Sequence, residues 1–129
     1  MAAGVVPSPT QTFGYAQEMV AEDHLIRAGY RVIERNWRAA GAEIDRVAWD
    51  GEILCFVEVR ARSRRDYGRP EETVGRAKQR HVVRAATAFL MAFAPGALPM
   101  VRFDVVSVQP TPDGKWAVSL FKDAFDAGH

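Results

Sequence analysis

Asp50-Gly51, set between two runs of alternating apolar residues, is the strongest local constraint in this chain. Such a dipeptide signals a tight hairpin turn. The segment around it, residues 41–60, reads Gly-Ala-Glu-Ile-Asp-Arg-Val-Ala-Trp-Asp-Gly-Glu-Ile-Leu-Cys-Phe-Val-Glu-Val-Arg. A two-residue turn at Asp50-Gly51 pairs Trp49 with Glu52, Asp45 with Phe56 and Glu43 with Glu58. Side chains alternate faces along a strand. Glu43, Asp45, Glu58 and Arg60 are therefore expected on one face, at the end far from the turn. Like charges opposite each other destabilise a sheet. Three acids on one face need a cation, and that need marks the segment as a candidate site.

The rest of the chain supplies a frame for this hairpin. Its 129 residues are enough for one domain with a real core. Residues 1–11, with Pro7 and Pro9, are expected to form a disordered tail, and 12–129 a single domain. Phe13, Ala16, Val20, Ala21, His24 and Leu25 recur at helical spacing over 12–28, and Gly29 sits where a helix C-cap belongs. Residues 30–37 read as a strand, and the hairpin adds strands at 42–49 and 52–60. A second helix is predicted over 75–93, with Val74, Ala77, Val82, Ala85, Phe89 and Ala92 as its apolar stripe and Pro95-Gly96 as its stop. Residues 102–108 and 116–121 read as strands on either side of a turn at Asp113-Gly114. A strand, a helix and a strand in succession make a right-handed crossover between parallel strands. With the antiparallel hairpin the sheet is mixed, about five strands, flanked by helices: an α/β sandwich.

Composition narrows the setting. The single cysteine, Cys55, excludes an internal disulfide and a Cys-rich zinc site, and reads as a buried apolar filler in a reducing compartment. No signal-peptide pattern and no apolar run long enough to span a bilayer is present, so a cytoplasmic protein without membrane contact is expected. Net charge is only +1, but residues 60–84 hold nine basic residues against three acids. That asymmetry fits either a polyanionic partner or an arginine-rich solvated surface. Arg76, Lys78 and Arg80 oppose the dipole at the start of the second helix, which is unfavourable unless an anion lies near or Glu71 and Glu72 neutralise them.

The acids themselves admit two readings. Asp45 and Glu58 on adjacent strands suit one hard cation, because Mg²⁺ prefers oxygen ligands and keeps several waters. Equally, they pair with Arg46, Arg60 or Arg62. Glu18 and Glu22 share a helix face, which reads as solvated unless that helix packs over the hairpin. His24, His81 and His129 lack metal-ligand spacing, and Trp37, Trp49 and Trp116 read as core or hairpin residues.

An ordered set of residues resembles a known family. Gln17-Glu18 with Ala21 and Leu25 look like its opening helix, with Gln where Gly is usual. Gly29-Tyr30, Arg35-Asn36-Trp37-Arg38, Gly41-Ala42-Glu43-Ile44-Asp45 (one residue longer than usual) and Phe56-Val57-Glu58-Val59-Arg60 follow. Arg62-Ser63, Gly68, Val74, Lys78 and Arg102-Phe103-Asp104-Val105-Val106 complete it. Over residues 13–108 the chain resembles the YraN-like family, small uncharacterised bacterial proteins with a restriction-endonuclease-like fold. That resemblance implies a nuclease site with Asp45 and Glu58 as Mg²⁺ or Mn²⁺ ligands and Glu18 as a further acid; the expected register adds Glu43 as a metal ligand on the same face. Arg60 stands where the wider superfamily has a catalytic lysine. Arginine stays charged where lysine can shift its pKa, although it can still stabilise a developing phosphorane charge. Lys78 is a candidate for the missing amine.

Two functions are thus expected to compete. One is a Mg²⁺-dependent nuclease or DNA-processing protein acting on nucleic-acid phosphodiesters. Asp45, Glu58, Arg60 and Glu18 would form its catalytic set, and Arg62, Arg64, Arg65, Lys78 and Arg80 would grip the backbone of the nucleic acid, in first place DNA. The other is a catalytically impaired module binding nucleic acid or protein on the same scaffold. Open hairpin edges and residues 121–125 leave room for a homodimer.

Overall fold

The structure is a computed structural model that describes residues 9–61, 75–93 and 96–127. The element order is α1 (Pro9–Arg27), β1 (Arg31–Ala39), β2 (Ala42–Asp50), β3 (Ile53–Ala61), α2 (Arg76–Phe93), β4 (Met100–Pro110) and β5 (Trp116–Phe125). The five strands lie in sequence order in one mixed, open sheet. β3 and β4 are parallel, joined through α2, and the other neighbours are antiparallel. Among the described residues no helix is long and apolar enough to cross a membrane.

Alternation along β3 explains the layers. Leu54 and Phe56 point to the α2 side, where they meet Val82, Ala85, Ala86 and Phe89. Cys55 and Val57 point to the α1 side, against Ala21 and Leu25. A strand buried on both faces reads as a continuous apolar run, and 53–57 is Ile-Leu-Cys-Phe-Val. Edge-to-face and stacked rings (Trp37–Phe89, Phe56–Phe89, Phe56–Phe103, Phe103–Phe125) tie the α2 layer together. On α2, Val82, Ala85 and Phe89 of the expected stripe are buried, whereas Ala77 and Ala92 are exposed and Val74 lies outside the described residues.

α1 ends as Gly29 predicts. Tyr30 N–H donates to Leu25 O and Gly29 N–H to Ile26 O, each at 3.0 Å, with Gly29 at φ +97°. This double bond is the Schellman closure that favours glycine. It delivers Tyr30 to the core, where its hydroxyl donates to Asp104 Oδ2 at 2.6 Å.

The hairpin register differs from the expected one. Asp50 pairs with Ile53, Trp49 with Leu54 and Val47 with Phe56, so Gly51-Glu52 forms the turn. Gly51 has φ +62°. Glycine is wanted at the first central position of a II′ turn, and that moves the turn by one residue and every partner by two. A second difference is a break in the alternation. Arg35 and Arg46 face α1, while Trp37 and Ile44 face α2. Between them stand Asn36, at φ +50°, and Asp45. Glu43 therefore does not oppose Glu58, and the expected single acidic face is split between the two sides of the sheet.

β5 extends past its expected end because a bulge interrupts it near Asp123, at φ +55°. The orphaned Asp123 N–H donates to Asp104 Oδ1 at 2.9 Å. Asp104 is completely buried. It also accepts from Arg102 Nε at 2.8 Å, and Arg102 reaches on to Asp50 Oδ2 at 2.7 Å. One carboxylate thus closes the bulge, anchors Tyr30 and fixes an arginine. Removing one partner of a buried, hydrogen-bonded charge costs about 3–5 kcal/mol. Asp104→Ala is expected to lower unfolding free energy by that amount in urea titration; a loss below about 1 kcal/mol would contradict this role.

Candidate functional site

The site forms where the β2–β3 ladder stops. Regular pairing ends at Arg46–Val57. Beyond it, carboxylates take over the backbone's bonding. Asp45 Oδ2 accepts from Val59 N–H at 2.8 Å, and Asp45 N–H donates to Glu58 Oε2 at 3.4 Å. An unpaired amide near the core is costly, so this exchange holds both acids in place. The corrected register thus brings Asp45 and Glu58 directly together, a closer approach than the diagonal expected from the sequence.

Glu58 is only 3% exposed. Burial first, and the charge of Asp45 second, push its carboxyl above the usual range, against the pull of Lys78. Burial likewise pushes Asp45 up, helped by Glu18 and Glu43 and opposed by the Val59 N–H and Lys78. Lys78, from the second residue pair of α2's first turn, reaches over the sheet and places Nζ 3.2 Å from Glu58 Oε1. Its half-exposed side chain sets a cation directly on this pair. Asp45 Oδ1 takes no hydrogen bond from them.

The remaining candidates sit around this centre. Glu43 lies on the α1 side of β2, paired with Arg38 at 3.2 Å. With its amide nitrogen turned between two acids, Asn36 donates to Glu43 Oε1 at 2.9 Å and to Glu18 Oε1 at 2.8 Å. Glu18 also accepts from Arg46 Nη1 at 2.9 Å. Glu18 and Glu43 thus form an outer ring held by Asn36 and Arg46, apart from the Glu58–Lys78 contact. Among the described residues no three His, Cys, Asp or Glu side chains converge as a ready metal cage. Arg60 is exposed two residues beyond Glu58 on β3, and Arg80 is exposed on α2. Arg62, Arg64 and Arg65 lie outside the described residues.

From sequence, Arg46 reads as a partner of Asp45 or Glu58 and Glu22 as solvated, but the two pair with each other. Arg46 is 2% exposed. Its Nε donates to Glu22 Oε1 at 2.8 Å and its Nη1 to the carbonyl of Asp45 at 2.7 Å. Glu22, expected on a solvated face, is buried and also takes Arg35 Nε at 2.6 Å. The Arg35 bond leads in holding its carboxyl below the ordinary range. The pair of acids one turn apart on α1 was the available signal. Only the reach of Arg35 and Arg46 from the sheet to that helix turns it into a clamp beside Asp45.

A stability prediction follows from the buried acids. In the folded chain Asp45 is held up to about 6 and Glu58 up to about 8, against ~4 when unfolded. The folded state then binds more protons than the unfolded state through this window, so stability falls as pH rises. Urea titration of the metal-free chain is expected to show a loss on the order of 5 kcal/mol between about pH 5 and pH 9. Glu58→Gln should flatten that slope. A wild-type slope of the opposite sign would rule the buried pair out.

Known proteins bear on the whole arrangement. The profile of the uncharacterised protein family UPF0102 matches residues 17–108, which runs from the middle of α1 through most of β4 and includes both acids and Lys78. A UPF0102 protein of Symbiobacterium thermophilum is 46% identical over 114 residues, covering 88% of this chain and 96% of that relative. One from an Anaeromyxobacter species is 45% identical over 88% of this chain and 84% of its own length. One from Chlorobaculum tepidum is 42% identical over 92% of this chain and 95% of its own. Profile and relatives agree over most of the sequence, and the chain belongs to the UPF0102 family, the YraN-like proteins.

Proposed function

We propose that this protein is a divalent-metal-dependent nuclease with a restriction-endonuclease-like fold, acting on phosphodiesters of nucleic acid, in first place DNA. One observation carries the reading: two acids on adjacent strands meet at the end of the β2–β3 ladder with a lysine Nζ 3.2 Å from one of them.

The donor set suits Mg²⁺ or Mn²⁺. Hard cations of this size take one or two carboxylates and keep several waters. Asp45 and Glu58 supply two carboxylates, and Asp45 Oδ1 stands without a hydrogen bond among the described residues. Burial above all raises both carboxyls, and a bound cation would favour their charged forms. The ion, when bound, supplies charge that polarises the phosphodiester and makes water a stronger acid.

The chain's own residues do the rest. Backbone bonds from Val59 and Asp45 hold the two acids in one orientation. Lys78 replaces, from α2, the amine that position 60 lacks. A primary ammonium beside a raised carboxyl can pass a proton as well as hold charge, which a guanidinium does not do. Arg60, on the same strand as Glu58, adds fixed positive charge for the phosphate in its transition state. Arg80 and the basic residues around 60–69 contact the backbone without reading sequence.

A second reading rests on the same lysine. Lys78 already neutralises part of Glu58, so the chain is also a candidate non-catalytic binding module. Cleavage of branched, flapped and single-stranded DNA with Mn²⁺ separates the two. Wild type is expected to cut at least one of these. Asp45→Asn and Lys78→Gln should each lose about 100-fold or more, the usual cost of one electrostatic contributor, while Arg60→Lys stays active. Wild type that leaves every substrate intact while Arg60→Lys cuts would establish the impaired module instead. Calorimetry with Mn²⁺ adds a test free of turnover: binding heat in wild type and none in Asp45→Asn. Equal heats would remove the metal site.

A further inference from the structure

A cleft of about 560 Å³ lies between α1 and the β4–β5 hairpin, apart from the carboxylate pair. Val20, His24 and Arg27 line one wall, and Lys115 and Trp116 the other. Asp23 is its one acid, spent on Arg27 at 3.0 Å across a single helical turn, with both side chains exposed. Such an exposed pair is weakly held, so Arg27 is available to another anion.

The hairpin wall is built in advance. Thr111 N–H donates to Lys115 O at 2.9 Å, and Gly114 N–H to Thr111 O at 3.1 Å, with Gly114 at φ +80°. The Asp113 carboxylate accepts from Lys115 N–H at 3.3 Å and from the Thr111 hydroxyl. Trp116 is half-buried, with one side against the α1 core, and its position is set by the last β4–β5 pair, Pro110–Trp116. An indole, an aliphatic floor, a guanidinium and an ammonium thus line one cleft, with the Asp113 carboxylate turned to the Lys115 amide and the Thr111 hydroxyl. A neutral apolar ligand would leave the cations unused, and a small anion would leave the apolar wall unused. A base with its phosphate uses both, as strand-binding grooves do.

Placement agrees with this chemistry. β4 runs parallel to β3, so the hairpin tip lies beyond the same carboxyl ends as Glu58, with Ala61 opposite Val108. Open α/β sheets take ligands outside those ends. Strand spacings put Trp116 on the order of 20 Å from Glu58, and on the opposite face. A strand reaching both must cross the ends of β3 and β4.

We propose that this cleft holds an unpaired nucleotide of the substrate strand, its base against Trp116 and its phosphate between Arg27 and Lys115. The assignment rests on the phosphodiester reading above and deepens it: the protein grips single-stranded nucleic acid at a point remote from its carboxylates.

The test is fluorescence anisotropy on the full chain in EDTA, so that neither metal nor cleavage enters. The probe is an oligothymidylate of about a dozen nucleotides, within the footprint of such grooves, compared with an abasic strand of equal length. Trp116→Leu is expected to weaken oligothymidylate binding about tenfold, Trp116→Phe to stay near wild type, and the abasic strand to ignore both. Lys115→Gln and Arg27→Gln, on exposed side chains, should each lower the salt slope by about one. They keep the assignment testable if Trp116→Leu fails to fold. Wild type that binds thymidylate and abasic strands alike, or variants that bind like wild type, would overturn the cleft assignment alone. Wild type that binds no oligonucleotide in EDTA would overturn the cleft assignment too, while the phosphodiester reading fails separately, if no substrate is cut with Mn²⁺.

Discussion

The structure turns on an exchange of hydrogen bonds at the end of one strand pair. Past Arg46 and Val57 the β2–β3 ladder opens, and the carboxylates of Asp45 and Glu58 accept the amide hydrogens that the ladder no longer pairs. Buried amides must be satisfied, so the acids are held by the backbone itself. Their closeness follows, and burial raises both carboxyls. Lys78 offsets part of that from across the sheet.

Two buried polar networks keep this opening in place. On the α1 side Arg46 joins Glu18, Glu22 and the Asp45 carbonyl, docking the helix directly behind the site. Toward the turn end of the hairpin, Arg102 and Asp104 link Tyr30, Asp50 and the β5 bulge. Buried ion pairs add little net stability when compared with apolar packing, yet losing one partner is costly. Their effect here is to allow one docking of α1 and one course of β5. The apolar layers around Phe56 and Val57 supply the general driving force.

Much of this was legible in the residues. The strand–helix–strand order, the mixed five-strand sheet and the Gly29 cap are all present as read. The hairpin was placed correctly, but Asp50-Gly51 permits either of two adjacent turns, and only the backbone shows Gly51 leading. The break in alternation at Asn36 and Asp45 has no sequence signal, because asparagine adopts positive φ only where its surroundings require it. That break is why Glu43 leaves the Glu58 side. Lys78 was a plausible amine from sequence, but its reach to Glu58 depends on how α2 crosses the sheet. Trp116, read as a core or hairpin residue, stands at the β4–β5 hairpin, half against the core and half in a cleft, a division that pattern alone does not reveal.

The central claim is that Asp45 and Glu58 form a divalent-cation site completed by an amine from α2. A crystal structure of the protein soaked in Mn²⁺, phased to show anomalous signal, tests it most directly. The account predicts one anomalous peak between the Asp45 and Glu58 carboxylates, with Lys78 Nζ moved off Glu58 Oε1. An empty pair with the Lys78–Glu58 contact intact at millimolar Mn²⁺ would contradict it.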